Sequence, residues 1–194
     1  MKITFLTCIA LLSIVFSVAS RAQVYVSASA GVSNPEVQDV ETTPDFERDF
    51  GYRLSAGNQL SEKFGFEVGF VDLGTFDVGT LTGLPDLNEI TDTVHVNGYD
   101  ISFVGKIPFR QFAVFARLGA FFWNGERIVV QNVVIDGENF IQENVISAEN
   151  VSYSAAVGIE YAIWTHFGFV VDAAQYRTDD VLNYMYTAGV RFSF

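Results

Sequence analysis

The 194-residue chain contains one cysteine, four prolines and two tryptophans, and only 11 Lys+Arg against 23 Asp+Glu. A single cysteine excludes both a disulfide framework and a multi-cysteine metal cluster. So few cations among so many anions cannot form the basic stripe that a nucleic-acid binder needs, so no nucleic-acid partner is expected. After the first 22 residues, no apolar run approaches the ~20 residues of a membrane-crossing helix. Disorder is excluded from the other side, because 49% of residues are hydrophobic and 15% aromatic. The length suits one domain, or two small ones at most. What is present is a chain both apolar and strongly acidic, with a net charge of −12. The two properties must occupy different places.

The N-terminus reads as an export signal. Met1-Lys2 gives a short positive start, Ile3 to Val18 is mostly apolar, and Ser20-Arg21-Ala22 places small residues at the −3 and −1 positions of a cleavage site. The apolar run is too short and too rich in Ser and Thr for an anchor. The expected domains are therefore a cleavable signal peptide over 1–22 and a barrel domain over 23–194. Cys8 leaves with the signal, and losing Lys2 and Arg21 takes the mature charge from −12 to −14.

Beyond residue 22 the hydrophobic pattern has period two, the strand signal. Tyr184, Tyr186, Ala188, Val190, Phe192 and Phe194 share one face of the last strand. Val151, Tyr153, Ala155, Val157, Ile159, Tyr161 and Ile163 share one face of another. Six further segments alternate: 24–33, 50–60, 64–73, 94–107, 112–124 and 167–176. Eight strands of about ten residues match the length that crosses a bilayer when tilted. The apolar faces are aromatic and uncharged through their centres, whereas the opposite faces carry Gly, Ser, Ala and isolated charges. Lipid outside and a polar, packed interior fit that division, and lipid forbids an open sheet edge. The fold class is thus all-β: a closed, eight-stranded, antiparallel, up-and-down transmembrane β-barrel. Short turns at 60–63, 109–111 and 164–166 alternate with long connections at 34–49, 76–93 and 125–150 and a shorter one at 178–182. Turns on one side and loops on the other are the pattern of outer-membrane barrels with extracellular loops. Trp123 and Trp164, near strand ends, suit the two aromatic girdles.

Four segments carry a family resemblance. They are Gly65-Phe66-Glu67-Val68-Gly69-Phe70 with Leu73-Gly74, Ala116-Arg117-Leu118-Gly119 through Trp123, Gly158-Ile159-Glu160-Tyr161-Ala162-Ile163, and the stretch from Tyr186 to Phe194. In order and spacing the chain resembles the transmembrane domain of the outer membrane protein A (OmpA) family of small barrels. The resemblance implies a monomeric barrel in the outer membrane of a Gram-negative bacterium. It also implies a C-terminal signal for the barrel-assembly machinery, formed by Tyr186, Val190, Phe192 and Phe194. The peptidoglycan-binding domain of the full-length family member is not expected after Phe194, so wall tethering does not carry over. In the family, acids matching Glu67 and Glu160 pair with bases on the fourth and seventh strands of a gated pore. Those basic positions are here Val104 and Val170.

The alternation assigns eight charges to the lumen: Glu67, Asp100, Glu160 and Asp172 against Arg53, Lys106, Arg117 and Arg191. Their balance points to paired networks and structural plugging, because an unpaired charge in a narrow interior costs several kcal/mol. A regulated ion path is the alternative. The net acidity then falls in the loops, at −5 for 34–49, −5 for 72–93, −4 for 126–150 and −1 for 177–180. Such loops would meet outer-membrane lipid and lipopolysaccharide, and clusters such as Asp45, Glu47 and Asp49 would recruit divalent cations, which prefer carboxylate oxygens. No cofactor, protein-built metal site or catalytic set is expected. His95 and His166 fall at opposite ends of the barrel, and no nucleophile is marked. The expected function is a structural or surface-interaction barrel. A narrow solute pore and a lipid-modifying enzyme are the alternatives.

Overall fold

The computed structural model of the chain describes residues 23–37, 48–77, 87–135, 138–179 and 181–194. The signal-peptide residues, and Asp45 and Glu47 of the acidic cluster, lie outside the described residues. Eight antiparallel strands follow in chain order: β1 (Gln23–Val37), β2 (Asp49–Gln59), β3 (Phe64–Asp77), β4 (Leu87–Phe109), β5 (Phe112–Ile135), β6 (Glu138–Trp164), β7 (Phe167–Thr178) and β8 (Val181–Ser193). They close into one barrel, with β8 returning to β1 along a ladder from Tyr25↔Ser193 to Val37↔Val181. Closure gives every membrane-level strand two partners, as a hydrocarbon surrounding demands.

Period-two alternation sets the two faces. On β3, Gly65, Glu67, Gly69 and Val71 are buried while Phe66 and Val68 face out. The outward positions form an apolar belt whose most exposed members include Leu118, Val157, Val171 and Tyr186. Aromatic pairs mark the two ends of that belt. Phe109 stacks on Phe112 at the turn side, with ring centroids 5.2 Å apart, and Phe70 meets Tyr99 edge-on at 5.4 Å toward the loop side.

Strand lengths are unequal, which overturns part of the loop expectation. β7 and β8 have 12 and 13 residues, but β4, β5 and β6 have 23, 24 and 27. The stretch 125–150 is no loop: β5 and β6 stay paired from Asn124↔Glu149 to Ile135↔Glu138. Its β-branched run, Ile128-Val129-Val130 and Val133-Val134-Ile135, favours strand, and Asp136-Gly137 is a strong two-residue hairpin signal. The other connections shrink too, since β1 reaches Val37, β3 reaches Asp77, and β7 and β8 are separated only by 179–180. A bulge interrupts the β3–β4 register between Asp72 and Gly74. Gly74 takes φ +91° there, and its N–H donates to the Asp72 carboxylate at 2.9 Å.

The interior also departs from the expected mixture of small residues and charges. Its outer half holds a cluster that includes Leu73, Phe76, Phe121, Trp123, Tyr176 and Met185. Trp123 is therefore not a girdle residue: it is 6% exposed and donates its indole N–H to Ser152 Oγ at 3.2 Å. It shares the inward phase of Arg117, three alternations earlier on β5. Trp164, at 72% exposed, faces outward at the turn end.

Candidate functional site

The inner half of the barrel gathers the lumen charges from seven strands. Arg53 comes from β2, Glu67 from β3, Asp100 and Lys106 from β4, Arg117 from β5, Glu160 from β6, Asp172 from β7 and Arg191 from β8. Their inward direction follows from the pleat, because each sits in phase with the buried residues of its strand.

All eight side chains join one connected network. Glu67, at 1% exposed, is its hub. It accepts from Arg53, from Arg117 at 2.9 Å, from Arg191 at 3.4 Å and from the Tyr25 hydroxyl at 2.7 Å. Arg53 continues to Asp100 at 2.9 Å, and Ser102 donates to the same carboxylate at 2.7 Å. Arg117 continues to Asp172, which also accepts from Thr187. Arg191 continues to Glu160 at 2.6 Å, and Glu160 meets Lys106 at 2.8 Å. Four acids and four bases cancel, so the desolvation of each is offset by direct partners.

Tyr25 is a member that strand phase alone did not single out. Its ring lies 4.1 Å below the Arg191 guanidinium carbon, a cation–π contact that adds to its hydrogen bond with Glu67. Val104 and Val170, the two departures from the family pattern, pack with Phe115 in a small buried apolar cluster. They supply shape where the family supplies charge. A polar depression of about 180 Å³, lined by Gln23, Gln59, Lys106, Glu160 and His166 among others, opens at the turn end below the network. Toward the loop end lies the buried cluster containing Phe121 and Tyr176, with those two rings 4.9 Å apart.

The second feature extends past the closed barrel at its loop end. β7 pairs with β6 only from Ser154↔Tyr176, so among the described residues Glu138–Tyr153 have β5 as their one ladder partner. With the upper part of β4 on the other side, from Leu87↔Val133 to Asn97↔Asn124, this makes a three-stranded projection. About twelve residues per strand at ~3.3 Å each carry it ~40 Å along the strand direction. Val145 and Ile146 are half exposed on it. Asp92, which the sequence places near His95, instead pairs with Arg127. The hydrogen bonds that Arg127 donates to Asp92 hold its guanidinium above the ordinary pKa. His95 meets Thr75 Oγ1 at 3.2 Å, and His166 meets the Ser193 carbonyl at 2.8 Å at the far end. Asp49 is spent on the backbone, accepting from the N–H groups of Phe50 and Thr75. Tyr186, Val190, Phe192 and Phe194 face outward, and the Phe194 N–H donates to the Val24 carbonyl at 2.8 Å, tying the C-terminus to β1.

The profile of the outer membrane protein β-barrel domain matches residues 4–194. No curated protein matches the sequence significantly. Among solved structures the chain is similar to Ail, the attachment invasion locus protein of Yersinia pestis, crystallised with the heparin analogue sucrose octasulfate. That similarity has 14% identity, 89% coverage of this chain, 99% of the other and a TM-score of 0.57. It is similar to a major outer membrane protein from Thermus thermophilus, at 12% identity, 89% and 99% coverage and TM-score 0.56. It is also similar to Neisserial surface protein A, at 17% identity, 88% and 97% coverage and TM-score 0.52. At these identities the likeness concerns the fold. The match over nearly the whole chain gives the identity: the protein belongs to the outer membrane protein β-barrel domain family and is an integral protein of the Gram-negative outer membrane.

Proposed function

We propose that the protein is a surface-interaction barrel whose lumen is a plug and whose projecting sheet does the outward work. The observation that carries this reading is the connected eight-charge network below a buried aromatic cluster, capped by strands that run far past membrane length. A network with every charge partnered, in a barrel of eight strands, leaves little room for a file of water. A projection that extends β4, β5 and β6 offers surface without any need for a passage.

The finer parts of the reading rest on sequence. Residues 1–22 are the cleaved signal, the mature chain starts at Gln23, and Tyr186, Val190, Phe192 and Phe194 form the segment read by the barrel-assembly machinery. The barrel works as a monomer, without a cofactor and not as an enzyme. The acidic loops, including Asp45 and Glu47 but not the backbone-bound Asp49, hold divalent cations that bridge to lipopolysaccharide phosphates. The polysulfated ligand of the Ail complex does not suit this chain. Asp92, Glu126, Glu143 and Glu149 against Arg127 make the described projection net negative and repel such a ligand.

Conductance in planar bilayers tests the plug. The expected record is flat. Reproducible steps that disappear in Glu67→Ala or Arg117→Ala would establish the narrow-pore alternative instead. Calorimetry with Ca²⁺ on the refolded protein tests the cation reading, which no heat at millimolar concentration would remove.

A further inference from the structure

We propose that the outer wall formed by β5 to β8 holds one phosphate-bearing lipid of the outer leaflet, with its acyl chain in a groove and its phosphate on Arg177. The proposal rests on the outer-membrane placement above and adds a specific binding site to it.

The groove, of about 350 Å³, lies on the lipid-facing side. Two successive rows of outward side chains make it. Leu118, Ala155, Gln175 and Tyr184 are partners across the four strands, and Ala116, Val157, Ala173 and Tyr186 form the row below. Alanine at 155 and 173 leaves a trough between Leu118 and Val157 on one side and the two tyrosines on the other. It runs on toward the turn end into a shallower depression of about 580 Å³ lined by Val157, Ile159, Val171, Tyr186 and Ala188. The combined track is apolar and follows the direction of a lipid chain.

At the outer end of the trough stands a cation. Arg177 is two residues beyond Gln175 on the same outward face of β7, ~6.6 Å further toward the loop side. Its guanidinium carbon lies 6.0 Å from the centre of the outward-facing Tyr153 ring, and its Nε donates to the Asp179 carbonyl at 3.0 Å. Those contacts fix the side chain at the level of the outer aromatic residues, where lipid headgroups begin. Arg177 enters no ion pair among the described residues, whereas the four cations of the lumen and Arg127 are all paired. A guanidinium held this way presents donors suited to phosphate oxygens.

A second groove on the barrel shows that an apolar trough alone is not the point. It measures about 560 Å³ and is lined by Ala28, Leu54, Ala56, Val68, Phe70 and Tyr99. The next outward position above Phe70 is Asp72, and the one above Tyr99 is its partner Asn97. That trough ends on a carboxylate, which repels a phosphate. At headgroup level one groove thus has Arg177, with the neighbouring Asp179 carboxylate accepting from Asn150 at 2.9 Å, and the other has Asp72, with His95 Nε2 3.8 Å from its carboxylate. The occupant is a phosphorylated lipid of the lipid A kind, which combines several acyl chains with exposed phosphates.

Native mass spectrometry of the folded, full barrel with bis-phosphorylated lipid A tests this. The expected result is a retained one-to-one adduct whose occupancy falls about tenfold in Arg177→Gln, the scale of one charge-assisted contact. Ala173→Phe, which fills the trough, should lower it similarly, and Ala56→Phe in the other groove should leave it unchanged. Heat-modifiable gel migration of every variant reports folding, so loss of the barrel itself is read separately from loss of the lipid. Wild type compared with dephosphorylated lipid A needs no variant at all, and the adduct should weaken there too. Equal retention with and without the lipid phosphates, or equal retention by wild type and Arg177→Gln, overturns the proposal. Displacement of the lipid by millimolar inorganic phosphate would assign the site to free phosphate and overturn it as well.

Discussion

Arg53 on β2 reaches Asp100 on β4 at 2.9 Å by passing directly over Gly69 of the intervening strand β3. A Cβ at residue 69 would lie 2.6 Å from the Asp100 carboxylate and 2.8 Å from the Arg53 guanidinium. The missing side chain is what lets two charges on strands that are not neighbours meet across the lumen.

Gly69→Val is therefore expected to part Arg53 from Asp100 and to destabilise the barrel by about 2 kcal/mol or more, the scale of overpacking a filled interior. Urea unfolding in micelles, followed by gel migration, measures it. Gly105→Ala is the control, because a Cβ at 105 meets nothing within 4 Å. An equal loss in both variants would show that Gly69 is needed for a reason other than this crossing.

Removing the hub should cost more than removing a charge at the rim. Glu67→Gln strips Arg53, Arg117 and Arg191 of a shared partner in a buried setting, for which a loss of about 3–5 kcal/mol is expected. Glu160→Gln acts where both Glu160 and Lys106 keep some solvent, with side chains 13% and 17% exposed, and should cost clearly less. The same unfolding experiment orders the two, and a reversed order would deny Glu67 its central place.

The two tryptophans should respond oppositely to lipid. Trp164 faces outward at the turn end, whereas Trp123 lies inside the barrel against Ser152. Brominated lipids are expected to quench Trp164 and spare Trp123, so the single-tryptophan variant Trp164→Phe should lose most of the quenching. Strong quenching that persists in Trp164→Phe would place Trp123 on the lipid side.

The interior aromatic cluster should contribute to stability in the manner of a soluble core. Phe121 is fully buried and packs on Tyr176. Phe121→Ala is expected to cost about 3–5 kcal/mol, while Phe122→Ala, one residue on and facing lipid, should cost much less. Comparing their unfolding midpoints with unchanged m-values checks this.

The projecting hairpin should be separable from the barrel. Replacing 126–149 with a short turn leaves the β5–β6 ladder from Phe112↔Tyr161 to Trp123↔Asn150 and the β6–β7 pairing from Ser154 intact. Heat-modifiable migration is expected to persist in the shortened chain. Its loss would mean that the projection is required for closure.

By itself the sequence determined the number of strands, their alternation and the side on which charge resides. These are properties of period and composition, so they survive without knowledge of neighbours: Glu67, Arg117 and Arg191 are lumenal because the residues two positions away along each strand are. Strand ends were legible only where a change of pattern marks them. The turns at 60–63 and 109–111 are such places, and the β-branched continuation past Asn124 with Asp136-Gly137 was an available signal for a hairpin that a loop reading passed over. Trp123 shows the same lesson, since the phase that sends Arg117 inward sends Trp123 inward too. Only the tertiary structure decided who meets whom. Pairing Arg53 with Asp100 needs the register of β2, β3 and β4 and the absence of a Cβ at Gly69. Gathering three arginines on Glu67 needs barrel closure, because residues from β2, β5 and β8 approach one point only when the sheet curves back on itself. The outer wall groove below Arg177 has the same origin, as four strands contribute two rows of side chains whose sizes matter only once registered.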